Sequence, residues 1–243
     1  MNDGHAVEAE EVPVVGAPAI AGLRFRRYAG AADLTAIVEI MNAAEIADGT
    51  FEIESVEALA NQLANRDDFV PERDILLAEV HERPVAISQR LLSLRDGVRV
   101  YDSFGHVHPD FRRRGLGRAM LRQAEAELRA RAEAESGVAE ASLGSWAFEA
   151  SPGASALLEA EGYTVVRWFF EMERTGLDDL PVAPLPEGLE LRPVRPDQVH
   201  QIVVADWEAF QDHWGARPFS EAQVRLVEGS PHTDISMWQV AWA

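Results

Sequence analysis

The stretch His108–Leu121, HPDFRRRGLGRAML, decides how the rest of the chain is read. It sets Arg112, Arg113 and Arg114 in a row directly before Gly115-Leu116-Gly117-Arg118, in a chain whose formal net charge is −19. The preceding VRVYDSFGHVH (98–108) has the apolar alternation of a strand. From Gly115 to about residue 134, Leu116, Met120, Ala124 and Leu128 recur along one helical side. The arginines therefore occupy a strand-to-helix corner. Amides at a helix N-terminus have no partner within the helix, and the helix dipole favours an anion there. Glycine lets the backbone come close to a phosphate. Residues 112–131 hold seven arginines against two glutamates, so the corner reads as a diphosphate cradle. A Rossmann fingerprint fails where Met120 stands in place of the third glycine. A Walker loop needs a lysine, and all 22 basic residues are arginine.

Composition narrows the classes further. A chain of 243 residues with 47% hydrophobic content can bury a sizeable core. No apolar run reaches the roughly 20 residues of a membrane helix, and the N-terminus lacks the basic start of a secretory signal. The strong negative charge disfavours nucleic acid and anionic lipid as partners. With no cysteine there is neither a disulfide framework nor a thiol nucleophile, and a cytoplasmic location fits. The seven histidines show no metal spacing: His106 and His108 are two apart on a strand without a third ligand, so no metal is expected.

Along the chain, residues 1–21 are acidic and Ala/Pro-rich and read as a disordered tail. Residues 22–174 read as one domain. It opens with a strand at 23–28 and helices at 31–47 and 54–65. Strands follow at 75–81, 84–94 and 98–108, the last two joined by Asp96-Gly97, a hairpin signal. The 115–134 helix, a strand at 138–145, a helix at 152–161 capped by Ser151-Pro152 and a strand at 163–173 complete it. Trp168, Phe169 and Phe170 are expected to pack in the core, whereas Trp146 sits beyond a cleft-lining strand. Residues 175–187 carry three prolines in six positions and read as a linker. From Gly188 the pattern restarts: GLELRPVRPDQV parallels GLRFRRYAGAAD, and TDISMWQVAWA parallels RDILLAEVHER, with a period of about 165 residues. Residues 188–243 are thus expected to be the N-terminal part of a second, truncated copy, and the chain a piece of a longer tandem protein.

Arg112-x-x-Gly115-x-Gly117 resembles the Q/R-x-x-G-x-G/A motif of the GNAT superfamily of acyl-CoA-dependent N-acyltransferases. GHVHPDF resembles the end of that family's fourth strand, and LLEAEGYTVV its L-Y-x-x-x-G-F segment. The resemblance covers about 150 residues. It implies an α/β (α+β) fold, a mixed and mostly antiparallel sheet flanked by helices, followed here by an incomplete second copy. It implies acetyl-CoA as co-substrate, its diphosphate held by the amides of Arg113, Arg114, Gly115, Leu116, Gly117 and Arg118, with the Arg112 and neighbouring side chains assisting. Backbone at Val107 and His108 would pair with the pantetheine arm and polarise the thioester carbonyl, where the fourth and fifth strands splay. The acceptor, a primary amine of a small molecule, would enter from the opposite side and attack directly.

For the base, alternation places Asp102, Phe104, His106 and His108 on one strand face, which makes Asp102 and His106 the candidates. Leu158 stands where the family commonly has an acid-supplying tyrosine; Tyr163 falls at a structural position, leaving Tyr28 and Tyr101. Two readings stay open: an N-acetyltransferase, or a CoA-binding domain whose catalytic partner is a second copy. A protein amine is a third acceptor class. The sequence leaves the oligomeric state open.

Overall fold

Residues 75–80, ILLAEV, are apolar on both faces and bounded by turns, the pattern of a strand covered on two sides. In the computed structural model, which describes residues 9–243 except 51, 136–140, 177 and 179–182, this strand lies inside a five-stranded sheet. The strands run β1 (Leu23–Arg27), β2 (Ile75–Val80), β3 (Arg83–Arg95), β4 (Val98–Val107) and β5 (Ala141–Gly144), paired in that order. All pairs are antiparallel except β4–β5, which is parallel. The β3–β4 hairpin turns on Asp96 and Gly97, at φ 51° and 77°, the left-handed pair that the dipeptide suggests. The β2–β3 hairpin turns through the same region on His81 and Glu82, residues that carry no such signal.

Each face of the sheet buries its own core. On one, Ile75, Leu77 and Ile87 meet Leu34, Ile37, Val38 and Ile40 of α1 (Leu34–Asp48) and Leu59 and Leu63 of α2 (Val56–Ala64). On the other, Leu76, Ala78 and Val85 meet Leu116 and Met120 of α4 (Leu116–Ala134), which follows the four-residue α3 (Pro71–Asp74). Val12 joins this second core and its amide donates to the Phe25 carbonyl at 2.9 Å. The order thus begins before residue 22, and of the tail expected over 1–21 the first eight residues lie outside the described part.

The 163–173 strand does not form. Tyr163 is anchored, but Val165, Val166, Trp168, Phe170 and Met172 are exposed in backbone without regular structure. Among the described residues β5 pairs only with β4, so no strand face receives these side chains. Phe169 leaves the segment for an aromatic cluster described below.

Residues 188–243 add a two-stranded pair, β6 (Glu190–Leu191) with β7 (Ala241–Trp242), antiparallel as β1 is with β2, and helices α6 (Val199–Ala209) and α7 (Glu221–Gly229). The helix between β5 and this segment is α5 (Pro152–Ala160). α7 packs on α2, and the Asn61 side chain donates to the Leu226 carbonyl, 165 positions on.

Three distant segments meet at one carboxylate. Asp48, the last residue of α1, accepts from Arg112 Nη1 at 2.6 Å and Nη2 at 3.1 Å, and from Ser151 Oγ at 2.8 Å. Arg112 also donates to the carbonyls of Val107 (3.1 Å) and Ala44 (3.3 Å). The hydroxyl of Ser151 therefore serves this joint and makes no cap bond to α5. Burial alone would push the Asp48 carboxyl up; the bonds from Arg112 and Ser151 outweigh it and hold the carboxyl below its ordinary value.

Asp48→Asn should cost about 1.5–3 kcal/mol at pH 7, the usual scale of hydrogen bonds to a charged group. Because the folded pKa is depressed, that stabilisation is complete above the unfolded carboxyl value of about 4 and is lost as pH falls below it. Urea titrations should therefore show parent and variant converging at low pH. Ile75→Ala, at a site with no exposure, should cost about 2–5 kcal/mol, whereas Phe170→Ser, 83% exposed, should stay within about 0.5 kcal/mol.

Candidate active site

β4 and β5 share only four rungs, from Arg99↔Ala141 to Asp102↔Gly144, and β4 continues to Val107 alone on that side. The parting point is marked by a close approach: a Cβ on Gly144 would run into Asp102 Oδ1. Beyond it the free edge of β4 can be read by alternation. The His108 amide donates to Val85 on the β3 side at 2.9 Å, and the Ser103 carbonyl accepts from Ser145 on the β5 side. Antiparallel pairing alternates, so the polar groups of Gly105 and Val107 face the edge that β5 has left. The expected pantetheine contact at His108 is therefore corrected: its amide is already engaged, and the Val107 carbonyl is taken by Arg112. The Val107 amide and the backbone of Gly105 occupy that edge instead. A glycine inside the 98–108 strand was the available signal.

The arginine corner follows immediately. A 3-10 turn, Pro109–Phe111, leads into Arg113 at φ 62° and Gly115 at φ 89°, the N-cap of α4. Left-handed residues at a helix start are the backbone feature from which anion-binding nests are built. Among the described residues the amides of Arg113, Arg114, Gly115, Leu116, Gly117 and Arg118 have no acceptor; the first helical bond is Ala119 to the Gly115 carbonyl. The side chains of Arg113 and Arg114 are exposed, and Arg114 stacks on Phe111. Arg112 is different. Its guanidinium is committed to Asp48, so it builds the corner rather than reaching out from it. Arg118 is turned to Glu161, which Arg122 also meets. Gly117 admits α5: a Cβ there would lie 3.3 Å from Leu157 and 3.9 Å from Val107.

The two candidate bases sit apart. Four residues of strand separate them by about 13 Å. Asp102 is buried, paired with Arg95, and burial pushes its carboxyl up despite Arg95 and Arg217. It lines a cleft of about 1210 Å³ that opens on this face of β4. His106 lies outside that lining, 3.6 Å from Glu45 of α1; burial pulls its pKa down, so the imidazole is neutral near pH 7. No tyrosine reaches the corner. Tyr28 is in the core, Tyr163 is set beside Glu125 and Ser103, and Tyr101 donates to Glu135 beyond the far end of α4, roughly 27 Å of helix away.

The cleft is walled from several elements. Phe104 lines it from β4, and Trp146, Phe169 and Trp214 form one continuous aromatic wall, with ring centroids 4.8 Å apart for Trp146–Phe169 and 6.0 Å for Phe169–Trp214. The β3–β4 turn holds the 213–219 segment in place: Asp96 accepts from the Gly215 amide at 2.9 Å and donates to the Ala216 carbonyl at 3.2 Å. Among the described residues no cluster could hold a metal, and no helix is long and apolar enough to cross a membrane.

Comparison with known proteins bears on this geometry. Residues 39–149 match the acetyltransferase (GNAT) family model. A mycothiol acetyltransferase of Kineococcus radiotolerans is 42% identical over 127 residues, 50% of this chain and 39% of that protein. One of Thermomonospora curvata is 32% identical over 197 residues, 73% of this chain and 61% of that protein. The chain thus matches 39% and 61% of the length of these two relatives, less than two thirds of either. A GCN5-related N-acetyltransferase structure from Sphaerobacter thermophilus shares the fold, with a TM-score of 0.61 over 90% of this chain and 67% of that one at 23% identity. The strand that outruns its neighbour, the nest of amides and the family match agree: residues 39–149 carry the pattern of the GNAT acetyltransferase family, and the chain is similar to the mycothiol acetyltransferases.

Proposed function

We propose that residues 22–174 form an acetyl-CoA-dependent N-acetyltransferase unit acting on a primary amine of a small molecule. The observation that carries the reading is the run of six unpartnered amides, Arg113–Arg118, at the start of a 19-residue helix and directly after the free edge of β4. A diphosphate fits this donor set. Six N–H groups and the helix dipole offer it charge-assisted hydrogen bonds, and the exposed Arg113 and Arg114 side chains add countercharge. Acetyl-CoA, when bound, supplies the activated acetyl group. The Val107 amide is placed to stabilise negative charge developing on a carbonyl oxygen along the β4 edge.

The acceptor enters through the aromatic cleft. Asp102 is the candidate base that lines it, and its raised pKa makes the carboxylate a better proton acceptor from an ammonium. The deprotonated amine nitrogen would then attack the thioester carbonyl carbon directly, forming the amide as the C–S bond breaks and CoA leaves as a thiolate that takes up a proton, with no covalent intermediate on the protein. His106 is assigned a supporting place beside Glu45 and Asp48. Residues 188–243 fit a second copy of the opening elements: α7 and the 3-10 turn Pro196–Gln198 begin 165 residues after α2 and Ala31–Asp33, at 56 to 221 and 31 to 196. Residues 175–187 are the linker in this account, and a cytoplasmic setting accords with it.

One observation favours a second reading, in which the unit holds CoA without transferring the acetyl group. Leu158 occupies the position of the family's common acid, and no tyrosine hydroxyl replaces it.

Thiol release from acetyl-CoA across a panel of small primary amines decides between them. The proposal expects turnover that Asp102→Asn lowers by about 100-fold or more, the scale of general-base loss, and that His106→Gln lowers by less than about tenfold. Tight acetyl-CoA binding with no amine acetylated would establish the second reading.

A further inference from the structure

The acceptor cleft carries more positive charge than its own acids neutralise. Arg66, Arg95 and Arg217 line it from α2's end, β3 and the 213–219 segment. Arg95 is paired with Asp102. Arg66 has neutral partners: the Gln89 side-chain oxygen at 3.1 Å and the Phe69 ring, 5.2 Å from its guanidinium carbon. The Arg217 side chain has no hydrogen-bond or ion-pair partner among the described residues, although its backbone carbonyl accepts from Trp207. The charge acting on Arg66 is Arg217, not a carboxylate; Asp67 and Asp68 also line the cleft but are solvent-exposed. The fourth cleft arginine, Arg99, is satisfied by Glu135.

Two guanidinium groups line one space with no carboxylate bonded to either among the described residues, and both lose hydration between the walls; the Asp102 charge that acts on Arg217 is already paired with Arg95. Both are pulled below the ordinary arginine value, by desolvation first and then by a neighbouring arginine, Arg217 for Arg66 and Arg95 for Arg217, with Asp102 opposing part of the pull on Arg217. A planar or tetrahedral anion would relieve both costs, since arginine's fork of N–H donors matches carboxylate and phosphate oxygens. Beside them Trp146, Phe169 and Trp214 present ring surface suited to a flat apolar group.

We propose that the acceptor is an amphoteric small molecule: an amine that also carries an anionic group, held by Arg66 and Arg217, with its apolar part against the aromatic wall. This rests on the reading of the cleft as the acceptor side. The amine end then lies toward Asp102, the one carboxylate at the buried end of the cleft, so charge recognition orients the nitrogen toward the β4 edge.

Calorimetric titration tests it with four probes on the full chain: L-phenylalanine, 2-phenylethylamine, O-phosphoethanolamine and acetyl-CoA. The expected result is that phenylalanine or phosphoethanolamine binds at least tenfold more tightly than phenylethylamine. Arg217→Gln and Arg66→Gln should each remove most of that preference while leaving acetyl-CoA binding and the melting temperature near those of the parent. The stronger of the two anionic probes identifies carboxylate or phosphate as the recognised group. The proposal is overturned if phenylethylamine binds as well as the anionic probes, if the two variants keep the preference, or if acetyl-CoA binds and neither anionic amine does. Anionic amine binding without acetyl-CoA binding would sustain the cleft assignment and remove the acetyl-transfer reading instead.

Discussion

The bond between Arg112 and Asp48 is the constraint on which the site depends. One guanidinium spans the end of β4, the end of α1 and, through the shared carboxylate, the start of α5. It consumes the Val107 carbonyl, which would otherwise be a free acceptor at the strand's end, and it fixes the direction in which the chain leaves the sheet. With that direction set, Arg113 and Gly115 take left-handed conformations and the amides up to Arg118 are left facing outward. The most conspicuous arginine of the motif thus works inside the protein, and the backbone beside it offers the donors.

A second constraint acts at the other end of the free edge. Asp102 fills the space where a side chain on residue 144 would stand, so glycine there lets the carboxylate occupy the point at which β4 and β5 part. The same carboxylate is paired to Arg95 and lines the cleft. Opening of the sheet, charge balance in the cleft and the placement of the proposed base are therefore one structural feature. The two sides of β4 divide the labour. Backbone donors gather on the edge and corner, while ionisable and aromatic side chains gather in the cleft.

Local signals made part of this legible. Asp96-Gly97 announced its turn because two left-handed residues are needed there, and the alternation of 98–108 separated the face of Asp102 and His106 from that of Val107. The glycines and arginines announced the corner through backbone and charge requirements that are local too. What escaped was long-range. Nothing around Arg112 reveals that its partner is Asp48, 64 positions earlier, or that Ser151 would spend its hydroxyl on the same carboxylate rather than on a cap. The β2–β3 turn on His81 and Glu82 has no glycine or asparagine to betray it. The apolar 163–173 segment has strand composition, but a strand also needs a neighbour, and composition does not say whether one is there. Arg66 and Arg217 come together only through the packing of residues 188–243 on α2.

The central claim is that the Arg113–Arg118 amides receive the CoA diphosphate. Amide-resolved NMR of the nitrogen-15-labelled chain, titrated with acetyl-CoA, addresses it most directly. The account predicts the largest shift changes at the amides of residues 113–118, with smaller ones at Gly105 and Val107, and their loss when Gly117→Glu places an anion in the nest. Shift changes concentrated in the aromatic cleft, or a titration that leaves residues 113–118 unmoved in a folded parent, would contradict it.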